Sequence, residues 1–106
     1  MQDFNSKTAF ITGGGSGVGL GIAKAFAKEG ANIVIGDIQT DRLENAEQEL
    51  RKITDAVLSI EVDTTDLVAL QNTSDRINDH FGPVSVLCNN AGIGGGGKIL
   101  ETADDK

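Results

Sequence analysis

Two glycine-rich stretches stand out in the chain, Thr12-Gly13-Gly14-Gly15-Ser16-Gly17-Val18-Gly19 and Gly92 to Lys98 (GIGGGGK). A phosphate approaches a backbone closely only where side chains are absent, and the start of a helix offers unpaired N–H groups and a partial positive charge to an anion. The first stretch has the composition to grip a phosphate or pyrophosphate in this way, provided it joins a strand to a helix. Glycine content alone fits a flexible turn equally well, so the flanking elements decide. The second stretch matches G-x-x-x-x-G-K, but Ile99 stands where a magnesium-binding serine or threonine is required. This argues against nucleoside triphosphate hydrolysis.

The flanking elements meet the condition. Lys7 to Thr12 (KTAFIT) is a short apolar run that reads as a buried strand, and from Val18 the pattern turns helical. Val18, Ile22, Ala23, Phe26 and Ala27 form one stripe, with Gly30 as the stop. The alternation continues through a strand over Asn32 to Asp37, a helix over Asp41 to Ile53 and a strand over Ala56 to Asp63. Asp41 and Glu44 have the spacing of a capping box. A further helix spans Asp66 to Phe81 with the stripe Leu67, Leu70, Ser74, Ile77 and Phe81, and Gly82-Pro83 ends it before a fourth strand, Val84 to Asn89. Leu100 to Lys106 reads as the start of another helix capped by Thr102. Strands alternating with helices imply right-handed crossovers and an α/β architecture with a parallel sheet.

The spacing of the first turn is informative. A strict G-x-G-x-x-G is absent, whereas T-G-x-x-x-G-x-G is present, and Asn89-Asn90-Ala91-Gly92 ends the fourth strand. Together these resemble the short-chain dehydrogenase/reductase family over the whole chain from Lys7. The resemblance implies a Rossmann-type doubly wound parallel sheet of order 3-2-1-4, of which residues 1–106 form the N-terminal, dinucleotide-binding part of one domain. It implies that Gly13, Gly15, Ser16, Gly17, Val18 and Gly19 hold the pyrophosphate, and that Asn90, Ala91 and Gly92 line the nicotinamide ribose. Asp37 ends the second strand, 24 residues after Gly13, where a carboxylate accepts from both hydroxyls of the adenosine ribose and repels a 2′-phosphate. By resemblance the cofactor is then NAD rather than NADP. Asp63 and Thr64 match the family's adenine contacts in part; a helix N-cap cluster over Asp63 to Asp66 fits those residues as well.

The family's chemistry is hydride transfer between nicotinamide and a secondary alcohol or ketone, with a tyrosine, a lysine and a serine as catalytic groups. The chain has no tyrosine, so no catalytic residue is assigned in it, and the expectation is the cofactor-binding half of a longer, truncated enzyme, commonly a homo-oligomer in this family. A non-catalytic dinucleotide-binding regulatory module is the alternative. Four strands in the order 3-2-1-4 would also leave the apolar fourth strand as an open edge.

Composition narrows the partners. Sixteen acidic against nine basic residues leave a net charge of -7, the wrong sign for holding nucleic acid or an anionic membrane. Hydrophobic residues at 39% and charged residues at 24% suit one compact unit. The single cysteine, Cys88, cannot form an internal disulfide, and Met1 to Lys7 carries no apolar run of a secretory signal. A reducing, cytoplasmic setting is expected. His80 is the only histidine and sits at a helix end, where a cation complements the dipole, so no metal site is expected. Cys88 reads as a core residue, and Glu44 to Glu49 as a solvated helix face.

Overall fold

The computed structural model describes residues 4–15, 17–90 and 100–102. Its centre is β1 (Thr8–Thr12), buried along its full length, because it is paired on both edges and covered on both faces. On one side it runs parallel to β2 (Asn32–Asp37) with Ile11 opposite Ile35, and β3 (Val57–Glu61) lies parallel beyond β2. On the other side β1 pairs in parallel with β4 (Val84–Asn89), which sets Thr12 beside Asn89. The parallel order 3-2-1-4 is the one expected.

Side chains alternate between faces along a strand, and two cores result. Ala9, Ile11, Ile33 and Ile35 meet Ala23, Ala46 and Leu50 from α1 (Gly17–Lys28) and α2 (Thr40–Arg51). Phe10, Val34, Ile60 and Val62 meet Ile77 from α3 (Leu67–Phe81) on the opposite face. Burying each such isoleucine contributes roughly 1.5–3 kcal/mol, so the continuous apolar runs of β1 and β2 dictate the centre of the sheet. With α1 and α2 on one face and α3 on the other, the C-terminal ends of β1 and β4 form the switch point of this architecture.

Several local expectations need correcting. Val18 is 66% exposed, and the small Gly19 is buried in α1 instead, beside Ala23 and Ala27. The helix does stop at Gly30, whose φ is +88° and whose N–H donates to the Ala27 carbonyl. The Asp41–Glu44 capping box does not form. Asp37 Oδ1 accepts the Gln39 N–H at 3.1 Å, the chain turns early, and α2 begins at Thr40 with Gln39 as an N-cap that makes no side-chain bond. The stripe of α3 is rotated from the one expected: Leu67 and Ser74 are exposed, while Thr73 is buried. A buried hydroxyl is tolerated there because Thr73 Oγ1 donates to the Ala69 carbonyl at 2.8 Å.

Asp66 caps α3, accepting the N–H groups of Val68 and Ala69, both at 3.1 Å. Asp66→Ala removes both bonds and is expected to cost about 1 kcal/mol, seen as a lower urea midpoint with an unchanged slope. The acidic face of α2 is more than solvated: Glu47 accepts from Ser59 Oγ at 2.6 Å and from Arg51 Nε at 2.9 Å. The Ser59 hydroxyl foremost holds the Glu47 carboxyl below the usual range against the opposing effect of burial, and Arg51 adds to the lowering.

Leu100–Thr102 is a strand, β5, antiparallel to β4 with Leu100 opposite Cys88, rather than the start of a helix. The unpaired N–H and C=O groups of an apolar edge favour strand addition over a short isolated helix.

Candidate functional site

The C-terminal ends of β1, β2 and β4 converge on the turn that joins β1 to α1. Gly13 has φ +70°, a conformation available to glycine at no steric cost. Its N–H and that of Gly14 both donate to the Gly36 carbonyl, at 2.7 and 3.2 Å, which ties the turn to β2. The next amide, Gly15 N–H, donates to Asp37 Oδ2 at 3.2 Å.

Asp37 is 7% exposed, and its two oxygens take one backbone amide each, from Gln39 and Gly15. A carboxylate has about four lone-pair sites, so capacity remains for hydroxyl donors. The carboxylate thus joins the β2 end to the glycine turn, a contact across 22 residues of sequence.

The glycines of the turn divide by what surrounds them. A Cβ on Gly19 would overlap the Gly13 carbonyl oxygen and stand 2.9 Å from its carbon, so this glycine lets α1 pack on the end of β1. A Cβ on Gly15 would stand 2.6 Å from Arg42 Cβ and 3.0 Å from Asp37 Oδ2. Among the described residues, a Cβ on Gly17 would meet nothing within 4 Å beyond its own stretch of chain. Gly17 therefore opens on space at the first residue of α1, where amides lack intrahelical partners. Val18 beside it is exposed. Ser16, Ala91 and Gly92 lie outside the described residues, as does the GIGGGGK stretch.

Sequence reasoning assigned Thr12 no role beyond opening the motif, yet it fastens β1 to β4. Its Oγ1 donates to Asn89 Oδ1 at 2.9 Å and accepts the Asn90 N–H at 3.1 Å. The first letter of T-G-x-x-x-G-x-G was the available signal. Asn90 is thereby fixed at the edge of the switch point.

Asp63 stays within its own turn, its Oδ1 accepting the Thr65 hydroxyl at 2.7 Å and the Thr65 N–H at 2.9 Å. The hydroxyl, then the amide, holds this carboxyl below its ordinary range. The N-cap role belongs to Asp66. Thr64 joins Phe10, Thr12, Leu70, Leu87 and Asn89 along a largely apolar pocket of about 280 Å³ on the α3 face. Away from the turn, the His80 ring stands edge-on to Phe81 at 4.5 Å in the last turn of α3. Cys88 is buried, and burial pushes its thiol up.

A parallel sheet of order 3-2-1-4, flanked by helices and opening at its switch point onto a glycine turn, defines a Rossmann-type α/β protein. The chain belongs to the short-chain dehydrogenase family, whose family model, described as short chain dehydrogenase, matches residues 7–106. It is 38% identical over 106 residues to the C alpha-dehydrogenase of Sphingobium sp. (strain NBRC 103272 / SYK-6), covering 99% of this chain and 35% of that protein. Among solved structures it is similar to a short-chain dehydrogenase/reductase from Burkholderia phymatum in complex with NAD, with TM-score 0.83 and 34% identity over 89% of this chain and 34% of that one. It is also similar to the L-sorbose reductase of Gluconobacter frateurii complexed with NADPH and L-sorbose, with TM-score 0.80 and 40% identity over 97% of this chain and 40% of that one. The chain spans little more than a third of the length of the curated relatives it matches. Among the described residues no helix is long and apolar enough to cross a membrane.

Proposed function

We propose that this chain is the NAD-binding part of an oxidoreductase that interconverts a secondary alcohol and a ketone. The observation that carries the reading is the Gly15–Asp37 contact, which puts a nearly buried carboxylate at the strand end against the glycine turn. A ribose and a pyrophosphate can then be held side by side, the hydroxyls on Asp37 and the phosphates on the amides at the start of α1. Open space beside Gly17 among the described residues supports placing such a group there. Bound there, the cofactor would supply hydride acceptance and return at its nicotinamide ring.

The chain's own residues bind and orient. On this reading Gly13, Gly15, Ser16, Gly17, Val18 and Gly19 would hold the phosphates, Asp63 and Thr64 would serve the adenine, and Asn90, Ala91 and Gly92 would serve the nicotinamide ribose. Thr12 holds Asn90 at its station by accepting its N–H, at 3.1 Å on Oγ1 and 3.2 Å on the backbone carbonyl. No residue of this chain is assigned as the general acid/base that the substrate oxygen requires. The single buried thiol and the acidic charge suit a reducing, cytoplasmic compartment and a small-molecule substrate.

Both cofactors occur among similar structures, NAD in the Burkholderia phymatum complex and NADPH in L-sorbose reductase. Asp37 favours NAD, because a carboxylate hydrogen-bonds ribose hydroxyls and repels a 2′-phosphate. Hydrogen bonds to a charged group are worth about 1.5–3 kcal/mol. Asp37→Ala should therefore weaken NADH binding by roughly ten- to a hundred-fold and narrow the preference over NADPH. With neither tryptophan nor tyrosine in the chain, cofactor fluorescence reads both affinities directly. An unchanged NADH-to-NADPH ratio would defeat the assignment.

A further inference from the structure

β3 ends the sheet on the side of β2. In its parallel register with β2, Ile33 N–H donates to the Ala56 carbonyl and Val62 N–H donates to the Asp37 carbonyl. The N–H and C=O of Leu58 and Ile60 therefore face β2, and those of Val57, Ser59 and Glu61 face the open edge. Such a row of backbone groups is a template for another strand, and VLSIE, with two β-branched residues and one charge, suits that role.

One side chain reaches round to this edge. Arg51, the last residue of α2, donates from Nη2 to the Val57 carbonyl and from Nη1 to the Asp55 carbonyl, both at 3.0 Å. The Asp55 carbonyl also accepts the Val57 N–H at 3.0 Å. A single guanidinium thus occupies the outward C=O of Val57 and braces the turn that engages its outward N–H. Its Nε donates to Glu47 at 2.9 Å, and the other carboxylate oxygen of Glu47 takes the Ser59 hydroxyl at 2.6 Å. The arginine is therefore pinned, through Glu47, to the middle of the strand it covers. Among the described residues, the outward backbone groups of Ser59 and Glu61 have no such cover.

We propose that Arg51 is a guard that keeps the β3 edge from pairing with the β3 edge of a second copy of this chain. The strand is self-complementary. Antiparallel pairing about Ser59 sets Ser59 opposite Ser59 of the second copy, Val57 opposite Glu61 and Leu58 opposite Ile60, so that the outward groups meet as hydrogen-bonded pairs. Leu58 and Ile60 belong to the core on the α3 face, and pairing them would carry that core across the junction. Arg51 stands on Val57, hence at both ends of this two-fold arrangement. Each copy must release its guanidinium before the ladder can close. Nothing in this arrangement depends on what the glycine turn binds.

Disulfide trapping in the whole chain tests it. In this register the Cα atoms of residue 59 in the two copies stand about 5.5 Å apart, within the roughly 4.4–6.8 Å that a disulfide spans. Those of residue 61 lie four positions apart along the strands, roughly 13 Å, and cannot be bridged. Ser59→Cys and Glu61→Cys are each made with Arg51 and with Arg51→Met, which keeps an unbranched stem and loses the donors. The native Cys88 is buried and common to all four chains. Under mild oxidant, Ser59→Cys with Arg51→Met should form the linked dimer. Before oxidation its dimerisation constant, by sedimentation, should exceed that of Ser59→Cys alone about a hundredfold, since two charge-assisted bonds worth about tenfold each no longer oppose pairing. Glu61→Cys should stay unlinked in both backgrounds. Equal trapping with and without Arg51, no trapping in a folded Arg51→Met chain, or linkage through residue 61 as readily as through 59 overturns the proposal. Amide exchange on the unmodified chain gives a check that needs no variant. The Ser59 and Glu61 amides should exchange at rates independent of chain concentration from micromolar to millimolar, and protection that grows with concentration would show the edge to be unguarded.

Discussion

Gly17→Val is expected to abolish NADH binding while leaving the fold intact. Among the described residues, the new Cβ has nothing within 4 Å beyond its own stretch of chain. It enters the space that the proposed cradle reserves for the pyrophosphate, at the start of α1, where the helix dipole favours an anion. Displacing the phosphates from those amides forfeits charge-assisted hydrogen bonds, and a loss of about 2.7 kcal/mol is already a hundredfold in affinity. The fall should therefore be roughly a hundredfold or more, with a melting temperature within about 2 °C of the parent, as surface substitutions usually give. A fluorescence titration and a thermal melt on one sample decide it. Retained affinity would remove the glycine turn from the site, and a collapsed melt would show that the position is structural.

Gly19→Val, two residues on in the same motif, should do the reverse and unfold the chain. Here a Cβ overlaps the Gly13 carbonyl oxygen and crowds backbone atoms of Gly13 and Gly14. No side chain can swing away to relieve the contact. Gly19 lies within α1, so replacing glycine recovers several tenths of a kcal/mol of helix propensity. Overpacking against backbone costs typically 1–3 kcal/mol or more, which outweighs that gain. In a domain this small each kcal/mol shifts the melting temperature by roughly 4–8 °C, so a fall of about 10 °C or more is expected. A melt unchanged by Gly19→Val would mean that α1 does not press on the end of β1 as described. The contrast between the two positions separates ligand space from packing space inside one short motif.

How much of this was legible in the sequence depends on the range of the interactions involved. Asn32–Asp37 and Val84–Asn89 coincide with the expected strands residue for residue, because strands buried on both faces or abutting glycine and proline announce themselves locally. Helix starts were less legible. The beginning of α2 was moved by the Asp37 carboxylate catching the Gln39 amide, a bond that propensities do not register. The stripe of α3 departs from the expected one because a threonine can be buried once its hydroxyl finds the Ala69 carbonyl. The strand at Leu100–Thr102 depends on an unpaired edge that exists only after β4 has joined the sheet.

At the site, the residue types were readable and their mutual contacts were not. Gly15 to Asp37, Thr12 to Asn89 and Arg42 over Gly15 are long-range juxtapositions created by pairing β2 and β4 onto β1. No spacing rule within the chain encodes them.

The account's central claim is that one dinucleotide is gripped jointly by the glycine turn and Asp37. Titrating the isotope-labelled chain with NAD while following its amide resonances tests this most directly. The predicted result is saturable shifts concentrated at Gly13, Gly15, Gly17, Gly19 and the Asp37–Gln39 segment, with β3 and the C-terminal half of α3 quiet. Shifts confined to the pocket along Phe10, Leu70 and Leu87, or none at millimolar NAD with a folded spectrum, would contradict it.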